Sequence, residues 1–143
     1  MTATANYPQQ GAVLRYPYLW ARERDAGESA GRKPRPVCLV LRISDAASAI
    51  HHLVLLPITS QAPSYDRVAL EIPDIERRRA GLTRYARAWV IADEYNYDIA
   101  EQSFHLEPDA QIGTFGAKFL REIAKALRST LTKTAARVDR TAD

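Results

Sequence analysis

The chain has 143 residues, of which 46% are hydrophobic: enough for one core of ordinary size, and too few to call for a second domain. With 20 Lys and Arg against 17 Asp and Glu the net charge is +3, which excludes a protein that coats nucleic acid by bulk charge, so positive groups act here by placement. The single cysteine, Cys38, lies inside the apolar run VCLVL; it excludes an internal disulfide, behaves as a small core hydrophobe and suits a reducing cytoplasm.

In chain order, residues 1–10 (MTATANYPQQ) have neither the basic start nor the apolar centre of a secretory leader and read as a flexible lead. A single domain is expected over 11–131. In AVLRYPYLW the residues Ala12, Leu14, Tyr16, Tyr18 and Trp20 recur at period two, as on a strand with one apolar face, and Pro17 bends it or confines it to an edge. VCLVLRI (37–43) and HLVLLPI (52–58) are apolar on both faces, as strands buried on both sides are. RVALEI (67–72) and ARAWVIAD (86–93) supply two more strands, with ERRRAGL (76–82) between them read as a solvated loop. After Glu107-Pro108 the period changes. Ile112, Phe115, Phe119, Leu120, Ile123, Leu127 and Leu131 mark one face of a helix that Pro108 would open. Residues 132–143 are polar and read as a flexible tail. Five strands followed by one helix predict a mainly β fold with a C-terminal helix, a strongly bent barrel or sandwich. The longest apolar runs are far shorter than a membrane span, so a soluble protein without membrane association is expected.

The chemistry concentrates where two strands end. Strands 37–43 and 52–58 are joined by a short loop and should pair antiparallel about a turn near residue 47. That register brings Arg35, in the basic lip GRKPR, opposite Thr59, with Ser60 and Gln61 beside it. A guanidinium fork, two hydroxyls and an amide suit a phosphate. The same residues also suit a plain strand entrance with a turn-forming exit. Arg32 and Lys33 share the lip, and Trp20 could stack a base there or belong to the core. Arg77, Arg78 and Arg79 would follow a nucleic-acid backbone only if they lie on the same side. His51 stands eight residues before Thr59, roughly 26 Å away along a strand, and cannot serve that rim. His51 and His52 point to opposite faces, and His105 has no ligand-spaced partner, so no metal site is expected.

These segments together resemble the PemK/MazF-like toxins of bacterial toxin-antitoxin modules. The likeness runs through a glycine-opened first strand, the loop Gly27-Glu28-Ser29-Ala30-Gly31, Arg35-Pro36-Val37, Pro57-Ile58-Thr59-Ser60-Gln61, VALEIP, Gly81-Leu82, the strand ending in Asp93, and Leu106-Glu107-Pro108. The resemblance implies a small SH3-like barrel working as a homodimer. It implies a cytoplasmic, cofactor-free and metal-independent endoribonuclease that cleaves single-stranded RNA and is held in check by a cognate antitoxin. Arg35 and Thr59 would be catalytic, with Ser60, Gln61, Arg32, Lys33, Trp20 and Glu28 as substrate contacts. The substrate's 2′-hydroxyl would attack the adjacent phosphorus, leaving a 2′,3′-cyclic phosphate. The chain departs from the family in its longer lip, and in Asp93-Glu94-Tyr95-Asn96 where Asp-Gln-x-Arg is common, which is expected to bring repulsion near the substrate. Two other readings share this likeness: a non-catalytic dimeric regulator that binds nucleic acid or protein, and a CcdB-like toxin acting on a topoisomerase.

Overall fold

The computed structural model describes residues 7–28, 33–131 and 136–141. Among them are eight strands: β1 (Ala12–Tyr16), β2 (Arg35–Asp45), β3 (Ile50–Thr59), β4 (Ala69–Glu71), β5 (Trp89–Ile91), β6 (Glu94–Ile99), β7 (Gln111–Thr114) and β8 (Ala136–Asp139). Three helices join them: α1 (Ala21–Asp25), α2 (Asp74–Arg79) and α3 (Ala117–Leu131). The fold is therefore mixed α/β.

The strands form one sheet in the order β4-β5-β3-β2-β1-β7, with β6 leaving this path to pair with β3, and β8 pairing with β6. The SH3-like barrel expected from the sequence is not what forms, because this sheet is open. β3 is the reason it forks. His52–Leu55 pair with β6, whereas Ile58 and Thr59 pair with β5, so one strand serves two neighbours along the same edge. The path then ends on the three-residue β4 and on β7 without a closing pair.

The apolar patterning of β2 and β3 has its outlet in two cores, one on each face. Val13, Cys38, Val40, Leu56 and Ile58 point to one face and meet Phe115, Phe119, Ile123 and Leu127. Leu14, Tyr16, Val37, Leu39, Leu53 and Leu55 point to the other, with Tyr18, Trp20 and Ala100. Alternation at period two requires this split, and burying each large aliphatic side chain contributes about 1.5–3 kcal/mol. Cys38 is fully buried, and burial pushes its thiol up to about 12, which makes it an inert core residue.

The C-terminal helix begins later than its apolar pattern suggests. Residues 111–114 are strand β7, paired with β1, and α3 begins at Ala117. Phe119, Ile123 and Leu127 are its buried stripe, whereas Leu131, expected on that face, is exposed. Glu76 holds the helix start. Its Oε1 accepts from the Gly116 N–H at 2.7 Å while its Oε2 accepts from Arg79 at 2.9 Å. The ERRRAGL segment is thus largely helix α2 and its exit, not a loop. Two glycines let that exit press against β7: Gly81 has φ +74° and a Cβ there would stand 2.3 Å from the Ile112 carbonyl oxygen, while a Cβ at Gly113 would stand 2.3 Å from the Ala80 carbonyl carbon.

The polar stretch after Leu131, expected to be a flexible tail, contributes β8. It pairs in parallel with β6, Glu94 opposite Ala136 and Asn96 opposite Val138. Val138 and Arg140 are buried. Arg140 donates to the Pro17 carbonyl at 2.7 Å and reaches Asn96 Oδ1 at 3.3 Å. Long-range partners, absent from the local pattern, hold residues 136–141 in place.

Candidate functional site

The β2–β3 hairpin has the register the sequence predicts at its open end: Val37 faces Pro57, Cys38 faces Leu56 and Leu39 faces Leu55. An irregularity between Leu39 and Leu41 then shifts the pairing by one residue towards the turn. Continued outward, the open-end register sets Arg35 beside Thr59. Both line a cleft of about 400 Å³, together with Trp20, Arg22, Ser60, Gln61, Arg67 and Tyr85.

Each element delivers its side chain for a traceable reason. Arg35 is the first residue of β2 and pairs with Tyr16, the last of β1. Thr59 is the last residue of β3, pairing with Trp89 of β5. The Thr59 hydroxyl oxygen accepts from the Gln61 N–H at 3.1 Å, a local turn that leaves its own proton to donate into the cleft. Trp20 sits at the mouth of α1, and its backbone N–H donates to Glu23 Oε1 at 3.0 Å. Two guanidiniums lie over the Trp20 ring, Arg22 at 4.8 Å and Arg35 at 5.5 Å from its centroid. The Nε of Arg35 and the indole Nε1 of Trp20 are both buried without a hydrogen-bond partner. Such orphans cost about 1–3 kcal/mol each, and a ligand acceptor would relieve that cost.

Charge in the cleft is one-sided. Arg67 is ion-paired: it donates to Asp93 from Nε and Nη2 and to Glu94 Oε2 at 2.9 Å. Hydrogen bonding to Asp93 holds the Arg67 guanidinium above its usual value despite partial burial. Burial alone would raise Asp93, but hydrogen bonds from Arg67 and the Val68 N–H, with the Arg67 charge, outweigh it and leave Asp93 below the usual aspartate range. Among the described residues Arg22 and Arg35 have no acidic partner, and no carboxylate or histidine lines the cleft.

The two residues that depart from the family pattern are committed elsewhere. Glu94 is buried, and its Oε1 accepts from the Tyr18 hydroxyl and the Ala21 N–H, both at 3.0 Å. Burial, then the Glu94 carboxylate, pushes the Tyr18 phenol well above its usual range. Glu94 therefore ties α1 to β6 with its charge met by Arg67, and it does not line the cleft. Asn96 is fully buried against the backbone of Leu19.

The remaining sequence candidates divide. Trp20, Arg35, Thr59, Ser60 and Gln61 come together in the cleft. Lys33 lies in an adjoining depression, and Glu28, in the turn after α1, lines neither. Arg32 lies outside the described residues. Arg77 pairs with Asp74 and Arg79 with Glu76, away from the cleft. His51 sits against Glu101 and His52 against Tyr97, remote from the rim as the strand arithmetic requires, while His105 meets Arg140 at 3.1 Å. Among the described residues no cluster of His, Cys, Asp or Glu could hold a metal ion, and no helix is long and apolar enough to cross a membrane. Sequence reading missed Arg22, Arg67 and Tyr85, which reach the cleft from three separate segments and carry no local motif. Compared with known proteins, the chain matches no family model and no curated protein.

Proposed function

We propose that the cleft binds the phosphate of single-stranded RNA and that the chain is a PemK/MazF-like endoribonuclease. The observation that carries this reading is Arg35: a guanidinium without an anionic partner among the described residues, its Nε buried and unsatisfied, in the same cleft as Thr59, Ser60 and Gln61. A phosphodiester seated there would take charge-assisted hydrogen bonds from Arg35 and a hydroxyl proton from Thr59. In the reaction the substrate's 2′-oxygen forms a bond to phosphorus, the bond to the 5′-oxygen breaks, and the products carry a 2′,3′-cyclic phosphate and a 5′-hydroxyl. Arg35 and Thr59 stabilise the charge of the pentavalent state, an effect worth about 10²–10³ in rate for one well-placed donor. No described cleft residue is a carboxylate or histidine, so the 2′-hydroxyl loses its proton to solvent hydroxide and the departing 5′-oxygen takes one from water. In this reading the protein acts in the cytoplasm as a homodimer, and an antitoxin inhibits it by covering the cleft.

The lack of a base among the described cleft residues favours a second reading, a regulator that binds RNA and leaves it intact. Incubating the protein with mixed-sequence RNA in EDTA, beside Arg35→Ala, separates the two. Cyclic-phosphate ends produced by wild type and lost in the variant support the nuclease. Retention of intact RNA supports the regulator, and no interaction with RNA rejects both.

A further inference from the structure

Arg35, Pro36 and Tyr85 line a second depression as well as the first, so the two adjoin. The second, about 250 Å³, has a floor of Leu82, Ile112 and the Tyr85 ring and a rim of Arg15, Lys33 and Arg84. It is smaller than the roughly 300–1,000 Å³ of a drug-sized site, and its make-up is that of a slot for one planar ring with cations around it. Leu82 is buried and Ile112 and Tyr85 are half-buried, which gives the slot firm apolar walls. The Tyr85 backbone N–H bonds the Leu82 carbonyl at 3.0 Å, which anchors the Tyr85 main chain after α2. Arg84 lies 5.3 Å from the ring centroid, so the aromatic group already works as a stacking platform for a flat cation. Arg15, Lys33 and Arg84 are exposed and have no acidic partner among the described residues.

We infer that this second depression is a nucleobase subsite, in which Tyr85 stacks the base next to the phosphate held at Arg35 while Lys33, Arg15 and Arg84 hold the flanking backbone. The inference rests on the proposed role of the cleft and adds the residue that grips the base. A base offers the π-face such a ring prefers whatever its sequence, and alternating aromatic and cationic groups are how proteins hold single strands. The shared ligand chemistry is a single-stranded polynucleotide, ribose or deoxyribose.

The test is binding by fluorescence anisotropy, with a labelled 2′-O-methyl RNA hexamer that resists cleavage, a DNA hexamer of the same sequence, and an abasic hexamer. Tyr85→Leu keeps the apolar floor and removes the aromatic face; Tyr85→Phe keeps both. Tyr85→Leu is expected to weaken the RNA and DNA hexamers about fivefold or more and to leave the abasic strand unchanged, while Tyr85→Phe behaves as wild type. Equal binding by Tyr85→Leu and wild type overturns the subsite and leaves the phosphate cleft standing. Equal loss on the abasic strand also overturns it, since Tyr85 would then only support the cleft. Loss confined to RNA and shared by Tyr85→Phe overturns stacking in favour of a hydroxyl contact. Failure of wild type to bind any strand overturns the cleft reading itself, and the subsite with it.

Discussion

Asn96 and Leu19 exchange two hydrogen bonds: the Leu19 N–H donates to Asn96 Oδ1 at 2.9 Å, and Asn96 Nδ2 donates to the Leu19 carbonyl at 2.8 Å. A side-chain amide thus imitates a strand partner for the segment between β1 and α1, and so fixes Trp20, the next residue, at the cleft. Asn96→Ala would leave both backbone groups buried and unpaired. A loss of about 2–5 kcal/mol is expected, read as a lowered urea midpoint with an unchanged slope. A midpoint equal to wild type would show that water satisfies both groups.

Arg67 neutralises two carboxylates, of which Glu94 is buried. Arg67→Met keeps the bulk and removes the charge, leaving Asp93 and Glu94 to repel each other. A destabilisation of about 3 kcal/mol or more is expected in chemical denaturation. The cleft should suffer little directly, because Arg35 and Arg22 remain.

The same clamp sets an acid limit. The folded-state value of Asp93 lies below its ordinary 3.8, so its ionised form stabilises the fold. That stability is complete above the unfolded value and disappears as the pH falls through the folded one. Thermal melts of wild type should therefore decline below about pH 4, and the gap between wild type and Arg67→Met should narrow over that range. A gap that stays constant to pH 2 would count against the clamp.

If the cleft cleaves RNA with solvent hydroxide taking the proton, the rate should rise about tenfold per pH unit from pH 6 to 9 without a plateau. A bell-shaped profile would reveal a protein base. Arg35→Lys tests the fork: it keeps the charge but loses the planar pair of donors, and less than a tenth of wild-type cleavage is expected.

Removing residues 136–143 strips the outer neighbour from β6 and takes away buried Val138 and Arg140. A loss of at least about 2 kcal/mol is expected by urea denaturation. Equal stability would show that β8 adds nothing to the fold.

Much of the architecture is written locally. The double-faced apolar runs of β2 and β3 announce strands covered on both sides, and their short loop dictates a register that brings Arg35 to Thr59. The stripe Phe119, Ile123, Leu127 announces the core of α3. β6 escapes such reading, since EYNYDI alternates polar groups that are buried: Glu94, Asn96 and Asp98 face inward because Arg67, Leu19 and Tyr16 meet them there. β8 escapes it too, having only Ala136 and Val138 as apolar signals.

The sequence by itself therefore determined which strands carry the core and which two strand ends hold Arg35 and Thr59, because period-two patterning and a short hairpin are local constraints. Tertiary structure alone decided that the sheet stays open, since closure depends on how β3 divides its edge between β5 and β6. It also decided that Glu94 and Asn96 support the fold, and that Arg22, Arg67 and Tyr85 join the cleft. A buried polar group reveals its role only through its partner, and these partners lie far along the chain.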